Sequence, residues 1–282
     1  MRKPGEEQIP RPDGFSGNRE ARAGRIWGGL LMLALIFALL TGTIRALACS
    51  AAEMERAMRR FAPPEYTRLP EAEYPAMAAH IADYLAGRKD DFQYMRAVPG
   101  GEAAACFHDY EIRHMEDCRS LIRLDGILCI AALAVAVTAL GRLVLMRKKE
   151  KQPDSAGNRS TVKAEGLQGA RTALWAFSIL AASLVLWAVI DFDGLFITFH
   201  RVAFRNDLWL LNPRTDLLIR LMPQELFISL GLRGLCFFLA GTALLMLTVM
   251  LLRRRENAPQ KKRSQPPENS KEKGAAFPPR VD

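Results

Sequence analysis

Four long stretches of this chain carry almost no charge, and they limit what it can fold into more than any other feature. Ile26 to Ile44 and Thr172 to Ile190 are uncharged. Leu124 to Met146 holds only Asp125 and Arg142, one near each end, and Leu226 to Leu252 is interrupted only by Arg233. A hydrocarbon core of roughly 30 Å is crossed by about 20 apolar helical residues. A helix also satisfies its own backbone polar groups, as lipid demands. The overall figures, 50% apolar residues, 24% charged and a mean hydropathy of zero, would suit a soluble protein if the two kinds were interleaved. Here they are segregated, which excludes a single water-soluble core and a disordered chain. The expected fold class is an all-α membrane protein, with four transmembrane helices and a small extracytoplasmic cap.

The basic residues orient the spans. Residues 1–25, 147–171 and 253–282 carry 22 of the 39 Lys and Arg, and Arg147-Lys148-Lys149 and Arg253-Arg254-Arg255 directly follow spans. These three segments are assigned to the cytoplasm, so both termini are cytoplasmic. The expected order is a cytoplasmic segment 1–25, a first helix 26–48, a cap 49–123, and a second helix 124–146. A cytoplasmic loop 147–171, a third helix 172–192 and an extracytoplasmic aromatic-rich loop 193–225 follow. A fourth helix 226–252 and a disordered tail 253–282 complete it. Ala46-Leu47-Ala48 before Cys49 resembles a signal-peptidase site, but the apolar run is long and Arg45 adjoins it, so a retained helix is expected. The net charge of +9 and pI near 9.6 belong to helix flanks facing an anionic leaflet rather than to nucleic-acid binding.

In the cap, Tyr74, Met77, Ile81 and Leu85 recur at helical spacing within Glu71 to Arg88, with Pro75 in the first turn and Gly87 at the end. Val98-Pro99-Gly100-Gly101 marks a turn, and Tyr110 to Ile122 reads as a helix feeding the second span. His80, on the first of these helices, is expected to be solvated. Cys106 and Cys118 both lie outside the membrane, where a disulfide persists if formed, but nothing in their spacing fixes a pair. Ionisable groups near the spans are usually paired or functional, and Arg233 is expected to pair with Asp125 or Asp191.

Two of the four histidines, His114 and His200, fall close to the outer ends of spans. Imidazole is the side chain suited to proton transfer near neutral pH. Three readings of the pair stand side by side: interfacial residues that merely snorkel, an acid–base pair, or two metal ligands joined by Asp117, one helical turn from His114. A non-enzymatic membrane scaffold also fits the topology. There is no phosphate loop and no metal-type cysteine spacing, and no cofactor is expected.

The surroundings of the two histidines narrow the choice. Glu111-Ile112-Arg113-His114-Met115-Glu116-Asp117-Cys118 resembles the ExxHMxDV signature of the lipoprotein intramolecular transacylase family. Phe199-His200-Arg201-Val202-Ala203-Phe204-Arg205-Asn206-Asp207-Leu208-Trp209, continuing through Asn212-Pro213 to Asp216-Leu217-Leu218-Ile219, resembles its second signature. Cys118 stands where Val is usual, and Asn212 replaces an acid. The resemblance implies transfer of the sn-2 acyl chain of an S-diacylglyceryl cysteine to the α-amino group of the same cysteine. Its substrate would be a diacylated lipoprotein met among membrane lipids at the outer leaflet. His114 and His200 would be the catalytic pair. Glu111, Met115, Asp117, Phe199, Arg201, Phe204, Asn206, Trp209 and Asp216 are candidates for binding substrate or stabilising an oxyanion, and no metal is required.

Overall fold

A computed structural model describes residues 14–97, 101–150 and 161–257. Residues 1–13 of the N-terminal segment, 98–100 of the expected turn, 151–160 of the loop after the second span and 258–282 of the tail lie outside the described residues. The chain forms α1 (Gly14–Ala48), α2 (Ala51–Phe61), α3 (Pro64–Thr67), a 3-10 turn (Glu71–Glu73) and α4 (Tyr74–Leu85). A two-residue hairpin of β1 (Met95–Arg96) and β2 (Ala104–Ala105) precedes α5 (Asp109–Glu150), α6 (Thr161–Ile190), α7 (Phe192–Ala203), α8 (Leu217–Leu221) and α9 (Gln224–Asn257).

Helices α1, α5, α6 and α9 are each long and apolar enough to cross a membrane. The chain is a multi-pass membrane protein. Apolar side chains point outward along these helices: Val137 is 72% exposed and Val189 78%. A bilayer covers such surfaces; water would not tolerate so many. Helix α1 is the centre of the bundle, packing on α5, α6 and α9. It approaches α6 so closely that a Cβ added to Gly28 would collide with the backbone of Gly166. Small residues permit this kind of backbone contact, which replaces the hydrophobic drive that lipid cannot supply. Met32, Ile36, Leu174 and Phe238 fill the buried seam beside it.

Helix α5 has 42 residues, about 63 Å at 1.5 Å per residue. That is twice the hydrocarbon thickness, so its first turns, before the apolar stretch at Leu124, stand in the cap. The cap helix expected at Tyr110 and the second span are therefore one continuous rod. The cap has its own core, in which Met54 and Met58 of α2, Tyr74, Met77 and Ile81 of α4, Phe92, Phe107 and Met115 pack against Leu217, Leu221 and Leu226.

Three expectations change. His80 is buried rather than solvated: its Nε2–H donates to the Phe92 carbonyl at 2.7 Å, and Lys89 Nζ donates to Nδ1 at 3.4 Å. It is a satisfied core histidine. Arg233 pairs neither with Asp125 nor with Asp191 but with Glu53 of α2, which also takes Arg56. Asp191 instead caps α7, accepting from the Gly194 N–H at 2.8 Å. Burial pushes the Glu53 carboxyl up, but its bonds from Arg56 and Arg233 outweigh that and hold it below the ordinary carboxylate range. Helix α2 itself escaped notice, although Ser50 and Glu53 stand at capping-box spacing and Met54, Ala57, Met58 and Phe61 share one face. Finally, the aromatic-rich segment after the third span is not a plain loop, since it contains α7 and α8. Cys106 and Cys118 are both free thiols, and the last span continues helically to Asn257.

Candidate active site

The two histidines, 86 positions apart, meet at the cap end of the bundle. His114 projects from the part of α5 that precedes its apolar stretch, and His200 from the last turn of α7. Their ring centroids are 6.2 Å apart with the planes inclined at 31°. Both are buried, at 7% and 8% exposure, and no hydrogen bond joins the rings among the described residues.

Each imidazole has a distinct second contact. His200 Nδ1 lies 2.7 Å from the Phe196 carbonyl one turn back. A carbonyl only accepts, so Nδ1 carries the proton and the lone pair resides on Nε2. Burial lowers the proton affinity of this ring below that of an ordinary histidine, and the bond to Phe196 offsets it only in part. His114 Nε2 lies 3.6 Å from the Cys118 Sγ, while its Nδ1 is buried with no hydrogen-bond partner. A buried ring nitrogen without a partner is costly in a finished core, and suits a site that receives a polar ligand.

Aromatic rings enclose the pair. Around His200 stand Phe196 at 4.1 Å, Trp209 at 5.1 Å, Phe199 edge-on at 5.3 Å and Phe204 at 5.5 Å between centroids; Phe204 also meets His114 edge-on at 5.1 Å. Phe199 remains 54% exposed, so the aromatic wall reaches the surface of the bundle.

The remaining residues singled out from the sequence divide by what they touch. Asn206 Nδ2 donates to Asp117 Oδ2 at 2.9 Å, tying the segment after α7 to α5. Arg201 is exposed and makes no hydrogen bond or ion pair among the described residues. Glu111 is fully buried and accepts the His108 and Leu218 N–H groups, both at 2.8 Å. One carboxylate thus caps the first turn of α5 and the first turn of α8. Asp216 accepts from the Asn212 N–H at 2.7 Å, the Thr215 hydroxyl at 2.6 Å and the Tyr110 hydroxyl at 2.6 Å. Burial pushes its carboxyl up, yet these three donors hold it below the usual range. Met115 is part of the cap core. The geometry therefore gathers His114, His200, Phe199, Phe204 and Trp209 at one place. Asp117 and Asn206 form a brace, and Glu111, Asp216 and Met115 lie among groups that build the fold around it.

Tyr110, Phe196 and Cys118 were not among the residues marked as functional. Their signals are weak alone: each stands one helical turn from a marked residue, at 114, 200 and 114 respectively. No three His, Cys, Asp or Glu side chains converge to hold a metal ion among the described residues. Asp117 is engaged by Asn206, so the set His114, Asp117 and His200 is not assembled for ligation.

Against known proteins, a sequence model of the lipoprotein intramolecular transacylase Lit matches residues 29–227. No curated protein matches. Among solved structures, the membrane-integral lipoprotein intramolecular transacylase Lit from Bacillus cereus is 18% identical with a TM-score of 0.63, over 83% of this chain and 97% of that one. A variant of it with one histidine replaced by arginine is 19% identical, TM-score 0.60, over 88% and 98%. A variant with the histidine replaced by alanine is 18% identical, TM-score 0.61, over 87% and 99%. At such identities the likeness speaks for the fold, which extends over nearly the whole of those chains.

Proposed function

The chain belongs to the lipoprotein intramolecular transacylase family, whose model spans most of its length, and we propose that His200 and His114 are the base and acid of its acyl transfer. It is an acyltransferase acting on lipoproteins. The reaction moves the sn-2 acyl chain of an S-diacylglyceryl cysteine to the α-amino group of the same cysteine, leaving a lyso-form lipoprotein.

The observation that carries the assignment is the bond from His200 Nδ1–H to the Phe196 carbonyl. It leaves Nε2 as a proton acceptor beside a second buried histidine 6.2 Å away. An α-amine has an ordinary pKa near 7.7–8.0 and attacks only when unprotonated. The amine nitrogen bonds to the ester carbonyl carbon, and His200 Nε2 takes the proton that the nitrogen sheds. The carbonyl oxygen becomes an oxyanion, for which Arg201 and the second N–H of the Asn206 amide are the donors at hand. When the tetrahedral intermediate collapses, the C–O bond to glycerol breaks as the proton held by His200 passes through His114 to the departing oxygen. Burial pulls the His114 pKa down to about 4 and keeps the ring neutral, so it accepts that proton on one ring nitrogen as it gives up the proton of the other, and both rings end neutral. Ester and amine sit on one molecule, so the site's main work is to fold the substrate into an attacking geometry. The rings of Phe199, Phe204 and Trp209 hold the acyl chains and exclude the water that would hydrolyse the ester. Glu111 and Asp216 are positioning residues. In this reading both termini are cytoplasmic, the cap and the histidines face the outer leaflet, and the substrate is diacylated.

The test locates the acyl chain. Co-expression with a diacylated model lipoprotein, in a host lacking N-acylation, is followed by tandem mass spectrometry of the N-terminal lipopeptide. Total mass does not change in an intramolecular transfer, so the fragment ions decide. An acyl group on the cysteine nitrogen, lost in both His114→Ala and His200→Ala, is expected. A free amine beside a folded, membrane-inserted protein would sink the assignment.

A further inference from the structure

Across α5 from the histidines lies a second recess that the transfer does not use. Its volume is about 370 Å³, and Arg45, Arg119 and Arg123 line it together with Gly126, Ile127 and Ile130. The residues Arg119, Arg123, Gly126, Ile127 and Ile130 follow one another at helical spacing, so they form one stripe along α5. At 100° per residue, Arg123 stands about 180° around the helix from His114. The recess and the paired imidazoles are thus on opposite faces.

Chemistry changes along this stripe at the level where the apolar stretch begins. Below Leu124, Ile127 and Ile130 are 58% and 70% exposed and offer an apolar wall. Above it stand the guanidinium groups. Arg45, from the last turn of α1, lies flat across Gly126, where a Cβ would meet its Nη1 at 3.1 Å, and donates from Nη1 to the Ile122 carbonyl at 3.2 Å. Arg119 is held by Asp90, Nη2 to Oδ1 at 3.0 Å, and lies over the Tyr84 ring at 4.8 Å; its Nε is buried without a hydrogen-bond partner. Arg123 is exposed and has no partner among the described residues. The acids nearby offset the group only in part, since among the described residues none of them pairs with Arg123. Asp90 is spent on Arg119, and Asp125, which faces Arg45, makes no hydrogen bond through its buried Oδ2.

We propose that this recess binds the phosphodiester headgroup of an anionic phospholipid, with an acyl chain lying along Ile127 and Ile130. Guanidinium forks match phosphate oxygens in geometry as well as in charge. Basic pockets between membrane helices at headgroup depth hold anionic lipids by this chemistry. On the function proposed above, the substrate's diacylglyceryl group carries no phosphate, so this lipid is not the substrate. It is a bound lipid that fills the junction of α1, α4 and α5.

The test uses the full-length protein in detergent, titrated with dioleoylphosphatidylglycerol and read by native mass spectrometry. Dioleoylphosphatidylcholine and free glycerol 3-phosphate are the comparison ligands. Retention of the anionic lipid is expected, with Arg123→Gln lowering its affinity about tenfold, the loss that follows removal of one charge-assisted bond. Arg123 has no partner to lose, so R123Q should fold as the wild type does, and acyl transfer to a lipopeptide should continue. Equal retention of the phosphatidylcholine, or equal affinity in R123Q, would overturn the proposal. Competition by millimolar glycerol 3-phosphate would show a simple anion site and overturn the lipid assignment. Absence of transfer activity in the wild-type protein, with its lipid binding intact, would count against the proposed histidine chemistry and leave this site standing.

Discussion

Replacing Glu111 gives the sharpest test of how the site is held. Its carboxylate is fully buried and joins two parts of the chain 107 positions apart, accepting the Leu218 N–H in a buried bond and the His108 N–H in a half-buried one. In Glu111→Ala the Leu218 N–H is left without a partner, which costs about 1–3 kcal/mol. Water can reach the His108 N–H, so its loss adds roughly 0.5–1 kcal/mol. With the space left by the side chain, the total is roughly 2–5 kcal/mol. For a chain of this size each kcal/mol moves Tm by about 2–4 °C, so thermal unfolding in detergent should fall by roughly 4–20 °C. Glu111→Gln keeps the shape and one acceptor but turns an NH2 toward a backbone N–H, and should lie between the two. Transfer activity should fall in the same order, because α8 follows the segment bearing Phe204 and Trp209. If E111A unfolded at the wild-type temperature while losing activity, Glu111 would act on the substrate directly and the positioning argument would be wrong.

Three further outcomes follow from the same geometry. Protonation of the substrate amine gives the rate profile an acidic limb of its own at about pH 7.7–8.0, so His200 is read directly. Its imidazole, followed by NMR, should titrate below pH 6.5, the value for an ordinary histidine, because burial lowers its proton affinity. The unfolded chain binds that proton more readily, so acidification from pH 6.5 toward the folded value should also destabilise the protein, and His200→Ala should flatten that slope; a midpoint above pH 6.5 would contradict the assigned base. Asn206→Asp sets a second carboxylate against Asp117 and should impair transfer more than Asn206→Ala. Pairing it with Asp117→Asn should restore most of the loss, and a double variant as poor as N206D would show that the brace is immaterial. Arg233→Ala should lower Tm by a few degrees and spare activity, since Glu53 keeps Arg56. In a double-mutant cycle with Glu53→Ala the two losses should be less than additive, and strict additivity would refute the α2–α9 ion pair.

Much of the architecture was readable in one dimension. The four apolar runs lie in the four long helices, and Pro75 and Gly87, the latter at φ +78°, bracket the cap helix as their side-chain chemistry requires. The two histidine motifs were also local patterns, each legible within about a dozen residues. The amphipathic α2 was equally local and was passed over, which left Glu53 out of account and led Arg233 to the wrong partners. His80 failed differently: solvation was assigned from its helix, but burial is decided by the segment at Phe92 that folds over it.

Hydrophobic patterning fixes which residues leave water and with what period, because each helix and each span answers to its own neighbours in sequence. It therefore determined a four-span helical membrane protein with two histidine motifs near one end. It did not determine that the two rings would stand 6.2 Å apart, that Glu111 would cap α8, or that three arginines would gather behind α5. Those contacts join residues tens of positions apart, and only close packing of α1, α5, α7 and α9 fixes their distances. The tautomer of His200 was decided by one carbonyl a turn away in a ring already buried.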